Sequence, residues 1–263
     1  MKKISYAIIV LYFIMVLPAF AVGPIGEYYL VNWCNGGMHV VQNNTVLRSW
    51  SSAGNRELPI IVEDSRITTF GYDGGAYGRE YSLSGSVIGS TTYVQPYSGI
   101  GFHDAGTDGT YYYAWAWHNQ TLYRFDKNWS NGTSLFGLSG KNRLAITYDK
   151  INNSLWLSGY NDSSYTMQNY SLTGTLLSSF SVLDYNTGAL AMDYNDNTLW
   201  YSVSGGGTFR QYSRTGTLLQ TVTIDGTGSG MWGGEFNFNN VVPEPASFGL
   251  IFIFLFFFRI FKK

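Results

Sequence analysis

Six carboxylates carry the acid–base chemistry this chain could offer: Asp73, Asp104, Asp108, Asp149, Asp193 and Glu235. Cleavage of a glycosidic bond needs two or three such groups to converge, one holding a proton while another is ionised. Asp149 and Asn195 fall at one place in an internal repeat, which favours a turn role there over a single catalytic one. The run Asp193-Tyr194-Asn195-Asp196-Asn197 sets oxygens at alternate positions, like the opening of a calcium loop. Thr198 stands where that loop needs glycine and Ser204 where it needs a bidentate glutamate, so the run reads as an Asx-rich hairpin. His39, His103 and His118 lack metal-ligand spacing, although His103-Asp104 and Trp117-His118 fall near strand or loop ends that can meet at one face. The sequence contains no nucleophile elbow, Walker loop or zinc-protease motif. No catalytic, cofactor-binding or metal-ligating residue is assigned, and no cofactor is called for.

The aromatic residues offer binding rather than reaction. Tyr111, Tyr113, Trp115 and Trp117 alternate along one stretch and so share a face of a strand. If exposed, that face would stack sugar rings; packed against a neighbouring sheet, it is core, the reading preferred here. Trp156 and Trp200 recur at matching repeat positions and read as packing between repeats. Cys34 is the single cysteine, so an intramolecular disulfide is excluded, and it reads as a small buried or inert side chain.

The elements that must position these groups are strands. Charged residues are 13% of the chain against a usual ~25%, aromatics reach 17%, and there are 21 tyrosines and 31 glycines. Tyrosine suits a pleated, half-buried surface, and glycine supplies the turns between many short strands. Two segments align closely, from Leu144 to Trp156 and from Leu190 to Trp200, and each leads to a second shared phrase, Tyr170-Ser171-Leu172-Thr173-Gly174 and Tyr212-Ser213-Arg214-Thr215-Gly216. That phrase recurs from Tyr81 and, degenerate, from Phe125, so its anchors lie 44, 45 and 42 residues apart; an older echo begins at Trp50, only 31 before Tyr81. One repeat holds four expected strands, 144–148, 155–159, 165–171 and 175–182. Four short strands at this period predict a β-propeller of about five four-stranded blades, at 28–62, 63–95, 96–138, 139–183 and 184–224. The segment 226–238 then supplies a closing strand to the first blade, which removes the exposed sheet edges of an open array.

The chain's ends are patterned differently. Lys2 and Lys3, an apolar stretch from Ile4 to Phe20, and Ala19-Phe20-Ala21 give the positive, apolar, small order of a secretory signal peptide, with signal peptidase cleaving after Ala21. At the other end stand Pro243, Glu244 and Pro245, an apolar run of 13 residues from Ala246 to Phe258, and the cations Arg259, Lys262 and Lys263. Those 13 residues make about 20 Å of helix, a short membrane span with its basic end held cytoplasmic. The prolines keep Glu244 extended, where a processing enzyme can grip the backbone. Together these residues resemble the PEP-CTERM sorting signal of Gram-negative bacteria, and Asp104 to Tyr113 is similar to stretches of propeller-like PEP-CTERM proteins. The resemblance covers about the last 22 residues and implies an exosortase as processing partner, and delivery to the cell surface or an extracellular polysaccharide matrix.

The chain therefore divides into a signal peptide at 1–21, a propeller domain at 22–240 and a sorting signal at 241–263. Setting aside the charged groups of the two ends leaves 11 basic and 16 acidic side chains, a mildly acidic domain without the basic stripe a nucleic-acid partner requires. The leading expectation is an exported, transiently membrane-anchored protein of the envelope or matrix. Its propeller would bind or display exopolysaccharide or an envelope protein without catalysis; the alternative is a glycoside hydrolase or lyase on the same scaffold.

Overall fold

A computed structural model describes residues 23–140, 143–161, 163–204 and 206–239, and all of its regular elements are strands. The expected signal peptide and sorting tail lie outside the described residues. Among the described residues no helix is long and apolar enough to cross a membrane.

Five blades form the ring. The first blade holds β1 (Tyr28–Asn32), β2 (Gly37–Gln42) and β3 (Thr45–Ser51). The second holds β4 (Glu57–Glu63), β5 (Arg66–Gly71), β6 (Tyr77–Gly78), β7 (Glu80–Ser82) and β8 (Tyr93–Val94). The third runs through β9 (Phe102–Thr107), β10 (Tyr111–Ala116), β11 (Thr121–Asp126) and β12 (Thr133–Gly137). In the fourth are β13 (Arg143–Asp149), β14 (Ser154–Gly159), β15 (Thr166–Ser171) and β16 (Leu176–Ser181). The fifth has β17 (Thr187–Asp193), β18 (Thr198–Val203), β19 (Thr208–Ser213) and β20 (Leu218–Thr223). Finally β21 (Met231–Phe236) returns to pair antiparallel with β1, Tyr29 opposite Glu235, which closes the ring as the sequence predicts.

That closure corrects two details. Because β21 supplies the inner strand of the first blade, this blade ends at Ser51 rather than 62, and β4 opens the second. The echo at Trp50 belongs to an outer strand and not to the turn phrase: Trp50, Tyr93, Phe136 and Phe180 recur at 43, 43 and 44 residues. The second blade also departs from four plain strands. Thr69 Oγ1 accepts the Arg79 N–H at 2.8 Å in place of a ladder bond, and this splits the third strand into β6 and β7.

Inner strands β4, β9, β13, β17 and β21 surround the axis, and every residue of β4, β9, β13 and β17 is buried. Backbones meet closely there. A Cβ at Gly233 would lie 2.0 Å from the carbonyl oxygen of Leu58, so only glycine fits. Between blades, the turn of one sheet packs on an aromatic of the sheet before it: Gly85 lies against Trp50, Gly174 against Phe136 and Gly216 against Phe180. The third blade has Trp129 at that turn, with φ of 59°, stacked on Phe70 at 4.6 Å and 3°. Its indole fills the space left beside the broken second blade, and this burial holds a left-handed backbone that glycine would adopt freely.

Candidate functional site

Along the axis the six carboxylates separate into different roles. Asp104 is fully buried and accepts the N–H groups of Gly234 at 2.8 Å, Leu190 at 3.0 Å and Ile146 at 3.2 Å, so one side chain ties β9 to three other inner strands. Glu235 accepts Thr147 Oγ1–H at 3.0 Å, and that oxygen in turn accepts the Met192 N–H at 3.1 Å. Burial pushes both acids well above the usual carboxylate range, and for Glu235 the nearby Asp104 pushes further in the same direction. Asp104 and Glu235 thus do converge, but both are sealed from solvent by packed strands.

Asp108 caps its own turn through the N–H groups of Thr110 and Tyr111 and accepts the Tyr113 hydroxyl at 2.7 Å. Asp149 and Asp193 end inner strands, opposite Ser154 and Thr198, and each accepts the N–H two residues on, from Ile151 and Asn195. The repeat partner of Asp149 is therefore Asp193, 44 residues away, and not Asn195: β13 and β17 lie 44 residues apart at both ends and each carries a bulge, so the like pairs Leu144-Ala145 and Leu190-Ala191 stand two places apart in the structural repeat. The run 193–197 forms the β17–β18 hairpin, with Asp193 accepting the Gly26 N–H at 2.9 Å and Asp196 the Thr198 N–H at 3.1 Å. Asp73 accepts the N–H of Gly74.

The opposite end of the axis, where the inner strands begin, is built from rings. The residue immediately after the second strand of each blade is Trp33, Tyr72, Trp117, Tyr160 and then Ser204. In the fifth blade's place stands Trp232, brought in by β21. The rings form a circuit: Tyr72 meets Trp33 at 4.5 Å, Trp33 stacks on Trp232 at 5.1 Å, Trp232 meets Tyr160 at 5.4 Å, and Tyr160 meets Trp117 at 5.8 Å. His103 is the hub, 4.7 Å from Tyr72, 5.1 Å from Trp232, and 5.9 Å from both Trp33 and Trp117. Trp33, Trp117, Tyr160 and Trp232 are half-buried, so parts of four rings face solvent around one point.

Burial drives His103 down to about 3, with a further push from His118, so the imidazole at the floor of this mouth is neutral at physiological pH. Its Nδ1 has no protein partner, nor has the indole N–H of Trp232. Both atoms are themselves buried, so they belong to the packing beneath the rings, and the surface open to a ligand is the ring faces. Arg56 lies over the rim, its guanidinium 5.1 Å from the Tyr72 centroid and 5.7 Å from that of Trp33.

His103 and His118 do meet at one face, while His39 bonds Ser49 Oγ on the first blade. Tyr113 and Trp115 are core, as expected of that face, but the strand ends at Ala116 and frees Trp117 for the mouth. Trp156 packs with Leu190 and Met192 of the next blade, and Trp200 with Tyr28 and Leu30, as read from the repeat. Cys34 is exposed beside Trp33 rather than buried, because the β1–β2 loop carries it outward. Sequence reading missed the ring as a unit. Its signal was the aromatic residue that follows the second strand in four of the five blades.

Fold and mouth together define a closed five-bladed β-propeller with an aromatic axial cup. No protein-family model and no curated protein matches the chain. Among solved structures, a chain of a nidogen/laminin complex superposes with a TM-score of 0.56 at 10% identity, covering 82% of this chain and 100% of that one. A protein of unknown function from Bacteroides caccae matches at 0.50 and 9% identity over 77% of this chain and 74% of its own. Glutaminyl cyclase from Myxococcus xanthus matches at 0.50 and 12% identity over 65% and 71%. The likeness is one of fold, shared by an enzyme and by a chain found in a complex, so architecture alone does not choose between catalysis and binding.

Proposed function

We propose that this is an exported surface or matrix protein, delivered by its sorting tail to an exosortase, whose propeller binds exopolysaccharide at the axial mouth without cleaving it. The observation that carries the binding half is the circuit of half-exposed rings around His103. Sugars present apolar C–H faces that stack on indoles and hydroxyls that need polar partners; the mouth offers half-exposed indoles, with the exposed Arg56 at its rim. The burial of Asp104 and Glu235 supports binding over hydrolysis, since neither acid meets solvent where a glycosidic oxygen would arrive. The delivery half rests on the residue pattern of the two ends.

Sedimentation of the purified full-length protein, held in mild detergent, with the producing strain's exopolysaccharide tests the binding half. Cosedimentation without new reducing or unsaturated ends is expected, and the double variant Trp33→Ala/Trp117→Ala is expected to stay in the supernatant. Shortening of the polymer would establish the enzymatic alternative instead. For delivery, replacing Pro243, Glu244 and Pro245 by alanine is expected to leave a full-length, membrane-retained form, and unchanged processing would refute the sorting role.

A further inference from the structure

Resting on the carbohydrate reading of the mouth, we infer that the ligand is an acidic glycan, whose sugar carboxylate is read by Arg56. The guanidinium of Arg56 is exposed and has no hydrogen-bond or ion-pair partner among the described residues; its contacts are the faces of Tyr72 and Trp33. The acids nearest it in the chain are already engaged. Glu57 is buried and accepts the Gly54 N–H at 3.0 Å together with the hydroxyls of Thr69 and Tyr81. Asp73 is turned onto its own loop by the Gly74 N–H at 2.7 Å. Arg48, Arg66, Arg210 and Arg214 meet carboxylates and Arg79 meets carbonyl oxygens, while Arg124 lies over Tyr111 on the third blade, away from this circuit of rings; Arg56 is the one whose guanidinium lies over rings of the mouth. An unpaired guanidinium on an aromatic rim, in a domain with more acids than bases, is a vacancy for an anion supplied from outside.

The placement also selects against the other ligand that aromatic cups favour. A quaternary ammonium or other cation would seek the same ring faces, but a fixed positive charge already lies over two of them and would repel it. A sugar acid satisfies both features at once, its ring stacked on the half-exposed indoles of Trp117 and Trp232 and its carboxylate forked onto the guanidinium.

Polygalacturonate and the same polymer after reduction of its carboxyl groups to neutral hydroxymethyl groups provide the test, read by quenching of tryptophan fluorescence on the full-length protein. The acidic polymer is expected to bind about tenfold more tightly, the range of one charge-assisted hydrogen bond, and to lose most of that advantage near 0.5 M salt, roughly where screening falls below contact-scale range. Arg56→Gln is expected to bring the two polymers to equal affinity by weakening the acidic one alone, while Arg56→Lys keeps part of the preference. Equal binding of both polymers by the unaltered protein overturns the inference and leaves the carbohydrate reading standing. So does an acid preference that survives Arg56→Gln. Binding of neither polymer overturns the inference outright, and the exopolysaccharide sedimentation then decides whether the mouth binds carbohydrate at all.

Discussion

The two ends of the axis are made by the same five inner strands, yet they treat charge and aromatic surface in opposite ways. Where the strands end, each acid finds an internal partner: Glu63 pairs with Lys127 at 2.9 Å, Asp149 with Arg214 at 2.7 Å, and Asp193 with the Gly26 N–H. Lys127 and Arg214 occupy the same place in the turn phrase of their blades, one residue after Asp126 and Ser213, so this pairing is itself part of the repeat. Where the strands begin, rings are half-exposed and a guanidinium has no counter-charge. Repetition has been used at one end to complete the structure and at the other to leave it open. The difference teaches where the proposal has to be tested: the far end by stability and the mouth by binding.

The largest test of that division strikes the axis between the two ends. Asp104→Ala strands the buried N–H groups of Gly234, Leu190 and Ile146, at roughly 1–3 kcal/mol each, so a loss of about 4 kcal/mol or more in urea unfolding is expected, with binding lost only as the fold is lost. At the far end, Arg214→Ala leaves Asp149 buried beside Trp156 Nε1 without its cation, and is expected to cost about 3 kcal/mol while the mouth binds as before. Weakened binding in a folded Arg214 variant would break the division.

The pH dependence of stability sharpens it. Burial raises Asp193 to about 6, so between the ordinary carboxylate range and pH 6 the folded state holds a proton that the unfolded state has lost. Folded protein is therefore favoured on the acid side of this window, and this contribution disappears as pH rises through 6, by about 3 kcal/mol in all. At the mouth, His103 acts with the opposite sign: it stays neutral in the fold down to about 3, so its burial costs stability progressively as pH falls below the usual histidine value near 6.5. Asp193→Asn is expected to flatten the first slope and His103→Gln the second, each measured by chemical denaturation from pH 4 to about pH 7. The smallest effect is expected from Trp117→Ala, about tenfold in polysaccharide affinity, or about 1.4 kcal/mol, with the folded state intact in circular dichroism.

The architecture was legible because blade strands announce themselves locally. The four strands expected in the fourth blade lie within two residues of β13 to β16, and the closing strand was visible in the glycine- and tryptophan-bearing segment around Met231. Asp149 was misaligned with Asn195 because the Leu-Ala pairs at 144 and 190 look alike although they occupy different places in β13 and β17, which lie 44 residues apart. The mouth was harder to see. Trp33, Tyr72, Trp117 and Tyr160 lie 39, 45 and 43 residues apart in unlike local phrases, and the fifth blade has serine at the matching place. Their association depends on where each second strand stops, a boundary fixed by packing rather than by composition. His103 and Trp232 join them only through ring closure, which no local pattern encodes.

Strand direction has one more consequence. Tyr28 and Phe236 sit opposite each other at the same end of the axis, so the chain enters and leaves the propeller on the side away from the aromatic cup. An attachment through either end, as the proposed delivery would make, would then join the disc like a stem behind a flower head. Under that proposal the cup would open on the face away from the point of attachment.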